Sequence, residues 1–511
     1  MSYLAPSTSL QSTLSTEIIG QVTIRGESQR PGPNTAPVHI LDDDSLLYMF
    51  RLYRPAIFDG DEGNIVHIKG GKGWKRERWW YKLAHVCQRW RILILGSASY
   101  LGLCLVCTWD TPVADMLAHS PPLPLVIDYF DVYWGITAED EGGILLALKQ
   151  RDRVRRIRLG MGVPNIQKLI MAIDEEYPAL EYLILESPKE FMSTTSVFPE
   201  TFHAPRLRHL LLLGFSLPVG SRLLTTAVGL VMLALAVGHP SAYFRPNTLL
   251  QWLSFMPQLE KLLIVFSTPV FDRDVERQLI HTPVTTHIIL PNLRWIEFQG
   301  VSDYMEAVVR RIVTPRLERL RIQFFEQQTF SVPCLLQFMN ATENLRFNSA
   351  KFEFSRDEVD VGGYLHEEAE VYPLSITVYS RSLHLQVSSL AQLFNSLSQK
   401  FSTVDHLTLE HEKSSEEHNQ VDRASWRRLL RSFSKVKTLR VNDGLVEELS
   451  RSLRPDDGEN LLELLPELQE LTYSGSGDAG DAFISFIDAR QNAGRPLALV
   501  RPGLRSVTPP S

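Results

Sequence analysis

Pro291-Asn292-Leu293-Arg294-Trp295-Ile296-Glu297-Phe298 and Pro315-Arg316-Leu317-Glu318-Arg319-Leu320-Arg321-Ile322 spell one phrase twice. It runs proline, any residue, leucine, two variable residues, then two apolar residues with one between them. In an extended chain that last pair lies on one face and the intervening side chain on the other. A proline is tolerated at the head of such a strand, where its missing N–H breaks no ladder bond. Each phrase therefore predicts a short strand with one buried face.

The phrase also begins at Pro178 (Leu180, Leu183, Leu185), Pro205 (Leu207, Leu210, Leu212), Pro257 (Leu259, Leu262, Ile264) and Pro466 (Leu468, Leu471, Tyr473). Val154/Ile157/Leu159, Leu230/Leu233/Leu235, Val404/Leu407/Leu409 and Val436/Leu439/Val441 keep the spacing without the proline. From Leu180 to Leu317 the first apolar position recurs every 23 to 34 residues, a repeat of irregular length.

Helical spacing fills the intervals. Ile166, Leu169, Ile170 and Ile173 share a face, as do Leu249, Leu250 and Leu253 after the capping residue Asn247. Further helices are expected at 302–312, 333–340, 389–397, 425–433 and 478–489. A degenerate first repeat is expected from Leu101/Leu103/Leu105, a short helix over 111–118 and a strand over 123–129. Strand, helix and return, repeated with a Leu-x-Leu strand, predict an α/β fold. It is an irregular leucine-rich-repeat solenoid with parallel strands on its concave face and helices on its convex face. The acidic stretch near 355–372 and the polar stretch near 410–420 read as solvated insertions. Residues 1–36 read as a disordered tail, 98–500 as the array and 501–511 as a second tail.

Bulk properties narrow the function. The 511 residues are 44% hydrophobic and 22% charged with a formal net charge of −7, which argues against nucleic acid as the main partner. Four scattered cysteines suit a reducing compartment. The first basic residue is Arg25 and no apolar core precedes it, so no secretory signal is read. Leu223–Val237, the most apolar run, is shorter than the ~20 residues of a membrane span. Cytoplasm or nucleus is the expected location, with no membrane partner.

Chemistry-bearing patterns are few. Cys104-Leu105-Val106-Cys107 lacks the second pair that a zinc site needs, and on a strand its two thiols point to opposite faces. Gly70-Gly71-Lys72-Gly73 lacks the spacing of a phosphate loop. Glu175-Glu176 and Glu416-Glu417 are adjacent pairs that do not converge on one atom. The chain is expected to be no enzyme and to hold no metal or cofactor. The variable positions of the strands are expected to form a binding face, with Arg294, Trp295, Arg319 and Arg321 as the target patch, since Trp and Arg dominate protein interfaces.

The segment before the array carries a second pattern. Ile40-Leu41-Asp42-Asp43-Asp44-Ser45-Leu46-Leu47-Tyr48-Met49-Phe50 gives a polar cap and an apolar helical face. After a Gly-rich insertion at 59–75 comes Leu83-Ala84-His85-Val86-Cys87-Gln88-Arg89-Trp90-Arg91. Together these resemble an F-box, with Asp42 where the usual proline follows the first leucine. With the repeats behind it, the layout resembles the F-box-like proteins of fungi. The resemblance implies a small all-α head over 37–97 that docks on a Skp-type adaptor and through it a cullin. Leu41, Leu46, Leu47, Phe50, Leu83, Val86 and Trp90 would supply its hydrophobic framework and docking face. It further implies the substrate-recognition subunit of an SCF-type (Skp–cullin–F-box) ubiquitin ligase, with a protein target on the repeats. The alternative is a non-ligase repeat scaffold whose diverged F-box serves as an N-terminal cap.

Overall fold

Every one of the ten apolar phrases becomes a strand of one sheet, because each presents alternate apolar side chains to the same helical layer. The computed structural model describes residues 41–54, 79–130, 136–173, 175–187, 196–218, 220–239, 242–267, 287–327, 329–365, 372–411, 422–454, 464–474 and 482–500. The expected tails, the Gly-rich insertion and most of the 410–420 stretch lie outside these residues.

The described chain divides into two compact units, one ending at Arg54 and one beginning at Pro55. The first holds α1 (Asp43–Tyr53). Asp42 caps it, accepting from the Ser45 backbone N–H at 2.7 Å and from the Ser45 hydroxyl at 2.9 Å, and Asp43 and Asp44 suit its positive end. These hydrogen bonds hold the Asp42 carboxyl below its ordinary range.

The second unit opens with α2 (Trp79–Ala84) and α3 (Gln88–Gly96). The Trp80 indole donates to the Cys104 carbonyl at 3.3 Å, and Arg91 Nε to the Ala84 carbonyl at 3.1 Å, which fixes both helices at the head of the sheet. Leu101, expected in a strand, instead ends a short helix, Ala98–Leu101, that Gly102 terminates at φ 61°. A left-handed residue is the usual helix stop, and glycine takes it without strain.

The strands follow as β1 (Leu105–Cys107), β2 (Leu125–Phe130), β3 (Val154–Gly160), β4 (Tyr182–Glu186), β5 (Ser196–Val197), β6 (His209–Leu213), β7 (Phe215–Ser216), β8 (Met232–Val237), β9 (Lys261–Phe266) and β10 (Ile288–Ile289). They continue as β11 (Trp295–Gly300), β12 (Ile312–Val313), β13 (Arg319–Phe324), β14 (Ser349–Phe354), β15 (Glu358–Tyr364), β16 (Leu374–Tyr379), β17 (His406–His411), β18 (Thr438–Asn442), β19 (Glu470–Ser474) and β20 (Ala498–Val500). Among the described residues, sixteen form one sheet, ordered β1-β2-β3-β4-β6-β8-β9-β11-β13-β16-β15-β14-β17-β18-β19-β20. The pairs β5–β7 and β10–β12 are separate parallel ribbons. The register is regular: Leu183, Leu210, Leu233, Leu262, Ile296 and Leu320 align across neighbouring strands and are buried.

Among the described residues helices lie between many, though not all, successive strands of the sheet. Leu249, Leu250 and Leu253 are buried as expected, but the cap of their helix (Pro246–Leu253) is Arg245 and not Asn247. Pro246 occupies the first turn, where a proline fits best, and the Asn247 side chain accepts from Arg311 instead. Three further helices, Ala138–Leu148, Arg222–Thr226 and Asp443–Leu453, were not expected from the spacing.

Among the described residues the array departs from its parallel pattern once. Residues 358–364, in the stretch expected to be a solvated insertion, form strand β15, antiparallel to both β14 and β16. Val359 and Val361 are buried in the same layer as the repeat leucines. The chain leaves β13, passes through the helix Pro333–Ala341, and enters β14 three places along the sheet. It then doubles back through β15 and β16 to meet β13. The 19-residue helix Leu383–Phe401 returns it to β17 beyond β14. Gln386, fully buried, donates to the Ser355 carbonyl at 2.9 Å and the Ser380 carbonyl at 2.8 Å, tying the two ends of the hairpin to that helix. Gly362 and Gly363 in β15 have a physical reason. A Cβ at Gly362 would stand 3.0 Å from the Tyr372 ring, and one at Gly363 would stand 2.9 Å from the Phe347 ring.

Candidate functional site

The variable positions of the strands form the face of the sheet opposite the buried leucines. The expected target patch falls there, across β9, β11 and β13. Trp295 pairs in register with Lys261 on one side and Arg319 on the other, and Glu297 with Leu263 and Arg321. The Lys261 ammonium stands 5.7 Å from the centroid of the Trp295 ring, a cation–π arrangement. Arg294, just before β11, bonds Glu318 at 3.2 Å, with both side chains about half exposed. Such a pair contributes little to stability, roughly 0–1 kcal/mol.

The structure thus brings Trp295, Arg319 and Arg321 onto one surface, with Arg294 at its rim. The two arginines of β13 differ. Arg321 Nη1 lies 3.9 Å from Glu297 Oε1 and also acts on Glu358 of β15. Burial pushes the Glu297 carboxyl above its ordinary value, and Arg321 offsets part of that rise. Arg319 is exposed and makes no ion pair among the described residues.

Beyond β9 the same face becomes apolar. Leu211, Met232, Ala234 and Leu263 form a cluster distinct from the main core, with Ile184 and Leu213 packed against it. Charged and aromatic side chains resume at its far side. The Tyr182 and His209 rings stack at 4.3 Å with planes 2° apart, and the Arg156 guanidinium lies 4.5 Å from the Tyr182 centroid. Arg158 lies 3.9 Å over Phe130; burial draws its pKa down while Asp128 and Glu186 act against that. The apolar stretch on this face was missed in the sequence. The signal was present, since Leu211, Ala234 and Leu263 occupy positions where other strands carry polar residues.

Beyond β13 the face turns polar. Asp360 accepts from the Thr377 hydroxyl. Lys351 joins Glu353 on its own strand and, at 3.0 Å, Glu410 of β17.

The positions expected to form the helical head separate by exposure. Leu46 and Phe50 are buried; Leu41, Leu47, Leu83 and Trp90 are partly buried; Val86 is 57% exposed. On α1 the large exposed apolar side chains are Tyr48, Met49, Leu52 and Tyr53, none of them singled out in the sequence. Spacings of three and four residues put Met49, Leu52 and Tyr53 on one side of the helix. Their signal was legible: α1 is apolar on two sides, more than one packing face requires. On α3, Ile92 is 63% exposed.

Among the described residues no group of three or more His, Cys, Asp or Glu could hold a metal ion. Cys107 is buried and Cys104 partly so. Cys334 sits beside Glu306, where burial and that carboxylate push its thiol up to about 11. No described helix is long and apolar enough to cross a membrane.

No family model matches the sequence. No curated protein matches it either. Among solved structures, the chain is similar to that titled "Crystal structure of TLR13-ssRNA13 complex", at 12% identity and a TM-score of 0.30. The match covers 77% of this chain and 48% of that one.

Proposed function

We propose that the protein is the target-recognition subunit of an SCF-type ubiquitin ligase, docking a Skp-type adaptor through its N-terminal helices and a protein target through the open face of the sheet. The observation that carries this reading is α1. It buries Leu46 and Phe50 and still presents Tyr48, Met49, Leu52 and Tyr53 to solvent. A helix with an apolar face to spare suits a partner. The residues proposed to meet the adaptor are therefore these four, while Leu46 and Phe50 serve as framework. The target patch remains Trp295, Arg319 and Arg321 with Arg294 at its rim. In such a subunit the chemistry belongs to the ubiquitin-conjugating enzyme that the cullin recruits, and this chain supplies positioning alone.

The test is capture of a purified Skp-type adaptor by the full chain. Leu52→Asp with Tyr53→Asp should abolish capture without changing the melting temperature. Equal capture by wild type and the double variant would refute the docking face, and no capture by wild type would refute the ligase reading. The second reading is a non-ligase scaffold with α2 and α3 as a cap. The tie from Trp80 to Cys104, which fastens α2 to the sheet, favours it.

A further inference from the structure

On the open face, the register sets Ala234 between Leu211 and Leu263, and Ala236 between Leu213 and Val265. Two alanines in successive rows of β8, with larger side chains on both neighbouring strands, make a trough one strand wide that runs along β8. Its floor, Ala234, is 2% exposed, whereas Leu213, Ala236 and Val265 at its upper end are partly exposed. An upper end that remains open can take one large apolar side chain.

The charges around the trough specify what carries that side chain. On one side stands Arg156 of β3, with Arg158 buried between Asp128 and Glu186, and on the other Lys261 of β9 with Arg319 and Arg321 of β13. Between β3 and β13 the acidic side chains pointing the same way are Glu186 and Glu297, and Glu297 is largely buried. This surface is positive on a chain whose net charge is −7. From β3 to β13 is six strand spacings of ~4.8 Å, or ~29 Å, about eight or nine extended residues.

We infer that the open face binds an extended protein segment whose apolar anchor seats over Ala236 and whose flanking carboxylates meet the basic side chains on either side, Arg319 foremost. The inference rests on the reading of the sheet as a target-binding surface and names the class of target. Its energetic centre is the anchor, with the charge pairs setting direction and selectivity.

The experiment is selection of random short peptides by the full chain, with affinities then measured for the enriched ones. Enriched peptides should carry Leu, Met or Phe between runs of Asp or Glu. Ala236→Arg and Arg319→Glu should each weaken them about tenfold or more with no change in melting temperature. Should Ala236→Arg prove unstable, Val265→Asp at the partly exposed wall replaces it. Failure to enrich any peptide, enrichment of basic peptides, or equal binding by the variants would overturn the inference. So would binding of an oligouridine probe through Arg319 without peptide enrichment, which would assign the face to nucleic acid. Adaptor capture plays no part in this measurement. Peptides enriched by a chain that captures no adaptor would leave the trough standing and remove the ligase reading.

Discussion

Glu306 caps the helix that follows its own: its carboxylate accepts from the backbone N–H groups of Leu335 at 2.7 Å and Cys334 at 2.8 Å. The first N–H groups of a helix have no partner within it, and a carboxylate there also suits the helix dipole. The contact couples two repeats through a charge-assisted bond. Glu306→Ala should cost about 1–2 kcal/mol, read as a lower denaturation midpoint, and Glu306→Gln should cost less because its amide oxygen still accepts.

The same carboxylate governs a thiol. Burial and Glu306 raise the Cys334 pKa to about 11, so at pH 8 nearly all of it is the unreactive thiol. Alkylation of Cys334 by iodoacetamide at pH 8 should be much slower than that of a free cysteine, and Glu306→Gln should speed it.

Glu297 gives a pH effect of definite sign. Its folded pKa is raised by burial above 4.5, so its contribution to stability is fully present below the unfolded pKa and is lost as pH rises through the folded one. Glu297→Gln should therefore raise the melting temperature at pH 7, and the difference should shrink as pH falls through the raised folded pKa toward 4.5.

Strand β15 can be tested by amide exchange. A solvated loop over 358–364 would exchange within seconds. The amides of β15 that bond to β14 and β16 should instead be protected as strongly as those of β13.

Helix α1 makes a paired prediction. Leu46→Ala removes a fully buried side chain, a change that typically costs about 2–5 kcal/mol, and should speed exchange throughout α1. Leu52→Ala, on the exposed side, should leave that exchange unchanged.

The repeat strands were legible because one spacing of apolar residues recurs and needs nothing beyond local geometry. β15 was not. Asp357, Glu358 and Asp360 beside Gly362-Gly363 have the composition of a loop, and they make a strand because two neighbours pair with it and two aromatic rings lie where side chains would be. Asn247 was read as a cap from position alone, but Pro246 shifts the start of that helix. The basic and aromatic patch was readable, since Trp295 and Arg319 are variable positions of adjacent phrases. The trough beside it was not, because it depends on which residues of β6, β8 and β9 share a row. The exposed side of α1 was overlooked because apolar residues at helical spacing were assigned to one interior.

The detour through β14, β15 and β16 has a consequence for synthesis. A chain made from its N-terminus can add β1 to β13 one strand at a time, each resting on the last. β14 cannot join that way, since its place in the sheet is separated from β13 by two strands not yet made. The growing edge at β13 must wait for residues up to Tyr379, about 55 beyond Phe324, before it is covered. Propagation along the array therefore halts once, at a fixed point, with a bare strand edge held open in the interval.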